Sequence, residues 1–169
     1  MGNSKLGLPT KERMALLRNQ VTHLLWYGKI KTTQARAKSV QSKAEKLLTL
    51  AINSYEDSVK VLKTIKDEKG VKAEREVIND GPKKLSARRA LMSFLYDIQE
   101  QRLPKESPAN FKKRTEGINH PLIEKIFNVY APKYAERNKE TGSAGGYTRI
   151  YKLEQRRGDG AQTVIIELI

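Results

Sequence analysis

The end of the chain constrains the fold more than any other stretch. In GGYTRIYKLEQRRGDGAQTVIIEL (residues 145–168) two short alternating runs flank a turn-rich connection. In YTRIYKL the period of two sets Tyr147, Arg149, Tyr151 and Leu153 on one face and Thr148, Ile150 and Lys152 on the other. In TVIIEL, Val164, Ile166 and Leu168 alternate with Thr163, Ile165 and Glu167. The linking EQRRGDGAQ closes them as a β-hairpin. A hairpin of this kind has one apolar face to bury, so the rest of the chain must supply a layer to cover it.

Helical periods supply that layer. Thr10–Tyr27 reads as a helix in which Met14, Leu17, Val21, Leu24 and Leu25 recur at helical spacing, with Thr10 as cap and Gly28 just past the end. KIKTT (Lys29–Thr33) is short and β-branched, a strand with Ile30 inward and Lys29 and Lys31 outward. Thr33 caps a second helix through about Ile52, with Ala37, Val40, Ala44, Leu47, Leu48 and Ala51 buried and Arg36, Lys43 and Lys46 along one edge of that stripe. Residues 53–85 are mostly polar and carry the turn signal NDGP. Ser86 caps a third helix, SARRALMSFLYDIQEQRL, facing inward with Ala87, Leu91, Phe94, Leu95 and Ile98. Residues 103–118 read as a loop. Pro121 opens a fourth helix, with Leu122, Ile123, Ile126, Phe127 and Tyr130 toward the core, and Pro132 ends it. The expected fold class is α+β: a two-layer domain with helices packed on a small mixed sheet, in the order helix, strand, three helices, strand, strand.

Charge gives the first clue to function. The 169 residues hold 33 Lys and Arg against 19 Asp and Glu, a net charge of +14. Residues 1–50 carry 10 basic and 2 acidic side chains, residues 51–140 carry 19 and 14, and residues 141–169 carry 4 and 3. A surplus that large repels itself unless a polyanion fills it; nucleic acid is the commonest such partner and an anionic membrane surface the main competitor. Around those cations Ser4, Thr10, Thr32, Thr33 and Gln34 can hydrogen-bond phosphate or 2′-hydroxyl oxygens. Trp26 and Tyr27 lie off the apolar stripe, placed to stack on a base, to meet a neighbouring protein or to fill a secondary core.

Other readings fare worse. No apolar run has the roughly 18 residues of a spanning helix, and MGNSKLGLPTKERM has no signal-peptide core. Met1-Gly2 opens a myristoylation-like pattern, but Leu6 stands where that motif wants Ser or Thr. The chain has no cysteine, which suits a reducing cytosol. His23 and His120 have no carboxylate partner at meaningful spacing and no metal-ligand cluster shows. The expectation is no membrane, no cofactor, no metal, no small-molecule substrate and no catalysis. Arg157-Gly158-Asp159 is read as a tight turn rather than an adhesion signal. Two other functions compete with RNA binding: a DNA-binding architectural protein, separable by a competition titration, and an enzyme acting on RNA, for which the sequence offers no reagent.

The segments KLGLPTKERMALLRNQVTHLLWYGKIKTT, SARRALMSFL, HPLIEKIFNVYAPKYAERN and GGYTRIYKLEQRRGDGAQTVIIEL together resemble the bacterial large-subunit ribosomal protein seventeen family. The resemblance covers about residues 5–55, 86–96 and 120–169, and is most specific in LRN–KIKTT and GGYTRI–RRGDGA–IEL. It implies a structural, cytoplasmic ribosomal protein that binds large-subunit ribosomal RNA on the solvent side near the nascent-peptide tunnel exit, beside other ribosomal proteins. Position by position it implies RNA contacts at Lys5, Lys11, Arg13 and Arg18, then at Lys29, Lys31, Arg36 and Lys38, then at Tyr147, Arg149, Lys152, Arg156 and Arg157. The reading of the residues adds Thr33, Lys43 and Lys46. Compared with compact relatives the chain looks expanded at about 56–85 and 97–119, within one domain spanning 1–169. These near-neutral segments, Lys69 among them, are expected to face outward or toward a neighbouring protein.

Overall fold

The computed structural model describes residues 4–66 and 72–169. Met1-Gly2 and Lys69 lie outside the described residues. The first three elements have the expected bounds: α1 (Thr10–Tyr27), β1 (Lys29–Thr33) and α2 (Gln34–Ile52). Neither Thr10 nor Thr33 makes a side-chain cap, since Pro9 precedes α1 and the Thr33 hydroxyl leaves the α2 amides untouched. Gly28 does more than end α1. Its φ of 80° is left-handed, where a Cβ is penalised. Its N–H donates to the Leu24 carbonyl at 2.8 Å, and its own carbonyl accepts from the Leu168 N–H at 2.8 Å. One residue thus closes the helix and starts the sheet.

That sheet joins β1 to the carboxy-terminal hairpin of β4 (Thr148–Gln155) and β5 (Gln162–Leu168), in the order β1-β5-β4. Both pairings are antiparallel, which corrects the expected mixed sheet: β5 returns between two strands that run opposite to it. Register Ile30–Ile166–Ile150 crosses the inner face, where Val164 and Ile166 are fully buried with Leu17, Val21, Leu24 and Leu25 of α1 and Ala37, Val40, Ala44 and Leu48 of α2. Leu47 and Met14 are half-buried rather than sealed. The architecture is α+β, with helices on one face of the sheet.

Several elements differ from expectation. Two strands, β2 (Ser58–Lys66) and β3 (Lys72–Asp80), pair as an antiparallel ribbon. Helix α3 runs Pro82–Phe94, not from Ser86 to Leu103; Pro82 fits the first turn and Leu95 turns extended at ψ 152°. Residues 103–118 hold a short helix, α4 (Pro108–Thr115), because the Ser107 side chain accepts the Asn110 N–H at 3.2 Å. Finally, Pro132 does not end the fourth helix. α5 (Pro121–Lys125) passes through a π-helical turn (Ile126–Tyr130) into α6 (Ala131–Thr141), and Pro132 falls in the first turn of α6, where its missing N–H costs least. The same inward residues, Leu122, Ile123, Ile126 and Phe127, are buried as expected.

Candidate nucleic-acid interface

Alternation places the side chains of β1, β4 and β5 that do not face the helices on an open outer face. Two cross-strand rows build it: Lys29–Glu167–Arg149 and Lys31–Ile165–Tyr151. Lys29, Lys31, Arg149 and Tyr151 are exposed, and Thr33 and Ile165 are half-buried. Glu167 is the one acid in these two rows, set across from both Lys29 and Arg149.

At the end of the sheet an open groove of about 630 Å³ is lined by Lys31, Lys152, Gln155, Arg156 and Thr163 with Leu153 and Glu154. Its wall exists because the register slips between Lys152 and Gln155. The slip takes the Leu153 and Glu154 carbonyls out of the ladder, and β5 side chains satisfy them: Gln162 Nε2 donates to Leu153 and the Thr163 hydroxyl to Glu154 at 2.5 Å. The turn beyond is tightly self-bonded. Arg156 Nε and Nη2 donate to the two Asp159 oxygens at 3.1 and 2.6 Å, and Asp159 also accepts the Ala161 N–H at 3.1 Å. That amide, with the Arg156 charge, holds the Asp159 carboxyl below the usual carboxylate range. RGD is a tight turn here, and the Arg156 guanidinium is already half engaged, leaving Arg157 exposed beside it.

A second groove, about 570 Å³, runs along α2 between Lys38, Gln41, Ser42, Glu45, Lys46 and Thr49. The Thr148 hydroxyl donates to Glu45 Oε1 at 2.8 Å, which ties this helix face to β4 and occupies the one acid in the groove. Arg36 and Lys43 are half-buried on the same helix. Lys5, Lys11 and Arg13 stand apart. Lys11 and Arg13 sit in the first turn of α1 and Lys5 precedes it, so α1, about 25 Å long, separates them from Lys29. Arg18 is half-buried, its guanidinium 5.7 Å from the Phe94 ring centre, so it serves the packing of α1 on α3.

Tyr147 does not belong to this surface. It is 1% exposed, its ring centre lies 4.9 Å from that of Tyr134, and its hydroxyl accepts from Asn138 Nδ2 at 3.0 Å. The expectation assigned it to the face of Arg149 by alternation, yet β4 begins one residue later, at Thr148, after Gly146 at φ 60°. Trp26 is half-buried, with its carbonyl accepting from Lys125 Nζ at 2.7 Å, while Tyr27 is 63% exposed and meets His23 edge-on at 5.7 Å. His120 has a carboxylate neighbour that spacing concealed: Nδ1 lies 3.4 Å from Asp97 Oδ1. Among the described residues no three His, Cys, Asp or Glu side chains converge as a metal site, and no helix is long and apolar enough to cross a membrane. Tyr151 was missed as a surface aromatic. The alternation that pairs it with Arg149 was the available signal.

The chain matches the family described as ribosomal protein L17 over residues 16–169. It is 40% identical to the large ribosomal subunit protein bL17 of Lachnospira eligens, over 98% of this chain and 97% of the relative. It is 38% identical to that of Clostridium tetani over 99% and 98%, and 35% identical to that of Acetivibrio thermocellus over 98% and 97%. With the Clostridium tetani protein 168 aligned positions cover nearly all of both chains, so the segments 56–85 and 97–119 have counterparts of similar length there. On a match that spans the cation-bearing α2, the β1-β5-β4 sheet and nearly the whole length of these relatives, the chain belongs to the ribosomal protein L17 family.

Proposed function

We propose that this chain is a structural constituent of the large ribosomal subunit that binds and stabilises large-subunit ribosomal RNA near the nascent-peptide tunnel exit. Full-length likeness to proteins named for the large subunit carries this reading. The location of the charge supports it. Ten cations against two acids fall in the first 50 residues, and the outer sheet face and the two flanking grooves hold Lys29, Lys31, Lys38, Lys46, Arg149 and Lys152 on rigid elements. Phosphate neutralisation there releases counterions, and fixing the cations on strands and a helix avoids the entropy of ordering a tail. Residues 56–85 hold eight basic and seven acidic side chains, so this segment, with 97–119, faces outward or toward neighbouring ribosomal proteins, all within one domain.

Sedimenting a cell lysate at moderate and at high salt tests the reading. The chain travels with large subunits at moderate salt and is released in part at high salt. A chain that stays at the top of the gradient at moderate salt, with its fold intact, ends the proposal. Competition between duplex DNA and large-subunit RNA separates it from a DNA-binding architectural role, which requires similar affinity for both.

A further inference from the structure

The outer sheet face has a feature that phosphate neutralisation leaves unused. Tyr151 is 43% exposed on the edge strand β4 of a face whose two rows also carry Lys29, Lys31, Arg149, Ile165 and one acid, Glu167. Arg149 is two residues along the same strand, about 7 Å away, and Lys31 lies two strand spacings across, about 10 Å. Ile165, between Lys31 and Tyr151 in register and half-buried, is the apolar cross-strand neighbour of Tyr151.

We propose that this face takes an unpaired ribonucleotide, its base stacked on Tyr151 and its flanking phosphates held by Lys31 and Arg149. The inference rests on the ribosomal-RNA reading and deepens it. Three cations to one carboxylate match a polyanion better than a protein surface, which would want a larger apolar patch than Ile165 and one ring. A sheet face that carries an exposed aromatic ring selects unpaired bases, because a duplex buries its base faces in its own stack. Stacking also differs from the surrounding contacts in salt dependence: it releases no counterions, while each phosphate contact does.

The test uses the full chain, total large-subunit RNA, a short single-stranded RNA and a duplex RNA of equal length. Tyr151→Leu lowers affinity for the single strand about five- to hundredfold, the loss of one stacked base. The slope of affinity against salt stays as in the parent, and the duplex is affected at most twofold. Tyr151→Phe binds within twofold of the parent throughout. The Tyr151 ring resonances, identified by their absence in the phenylalanine variant, move upfield when the single strand is added, a readout that survives if the leucine variant folds poorly. Unmoved ring resonances, or equal losses on single strand and duplex, overturn the stacking proposal. If the parent itself fails to bind large-subunit RNA, the broader ribosomal reading is what falls.

Discussion

Tyr134 and Tyr147 are both sealed in the core with their rings in contact, yet their hydroxyls fare differently. Tyr147 has Asn138 as a donor. The Tyr134 hydroxyl is buried with no hydrogen-bond partner among the described residues. An unmade hydrogen bond at a buried hydroxyl is a standing cost, so deleting that oxygen should be neutral or stabilising. Tyr134→Phe is expected to keep or raise the thermal midpoint, whereas Tyr147→Phe loses about 1 kcal/mol by orphaning Asn138. Thermal melts of the two variants check this, and equal losses would defeat it. Burial, helped by the nearby Tyr130 phenol and opposed by Arg137, pushes the Tyr134 phenol up to about 12. An unfolded tyrosine ionises near 10, so folding opposes this ionisation. The contribution is whole below about pH 10 and is lost as pH rises from there toward 12. Tyr134→Phe should therefore gain on the parent between pH 7 and pH 11; a constant difference would refute the assignment. At this scale the sequence was a good guide where a strand was already under way, at Lys29, Lys31 and Arg149. It failed at Tyr147, because two glycines reset the backbone before the alternation begins, and the ring is turned inward under Arg137, which donates to the Gly145 and Gly146 carbonyls.

Among the elements, the β2–β3 ribbon shows how a projecting piece is held by its base. Asp80, its last residue, meets Arg88 of α3 at 2.5 Å and Lys84 at 3.4 Å; Arg88 also reaches Glu124 of α5 and lies over the Phe127 ring. Asp57 accepts the Lys83 N–H at 2.7 Å, and a Cβ at Gly81 would overlap its carboxylate. Burial alone would raise the Asp80 carboxyl, but its bond to Arg88, that charge and Lys84 outweigh it and hold the group below the ordinary carboxylate value. The stabilisation is therefore present above about pH 4 and lost as pH falls through the lowered folded value. These groups are partly solvated, so Asp80→Asn should cost only about 1 kcal/mol at pH 7. It should also flatten the acid limb of the melting curve and speed hydrogen exchange at residues 58–63 and 76–80 more than in α1 or α2. Uniformly faster exchange would show that the base is not a separate latch. The ribbon escaped a reading from sequence for a physical reason. In SVKVLKTIK lysines alternate with aliphatics, and Val59, Val61, Leu62 and Ile78 remain exposed, so no face is consistently apolar. α4 escaped similarly, having no buried residue. α1, β1, α2 and the closing hairpin were legible because each buries a stripe of fixed period against the others.

For the molecule as a whole, the distribution of charge matters more than its sum. If only the total of +14 drew the chain to RNA, any charge reversal would weaken binding alike. The geometry argues otherwise: Arg149 projects from a strand held by β5, whereas Lys60 projects from a ribbon whose segment is nearly neutral. Arg149→Glu and Lys60→Glu change the net charge equally, so comparing them isolates position. For Arg149→Glu the expected outcome is weaker binding to large-subunit RNA, with the magnitude of the salt slope reduced by about 1 for the lost phosphate contact. For Lys60→Glu affinity stays within about twofold and the slope is unchanged, since a cation that touches no phosphate adds only screened, long-range attraction. Arg36→Glu, on the half-buried edge of α2, should follow Arg149 rather than Lys60. Titrations at several salt concentrations measure both quantities together. Identical losses for all three variants would mean that the fold serves only to carry charge, with no register between its cations and the phosphates they meet.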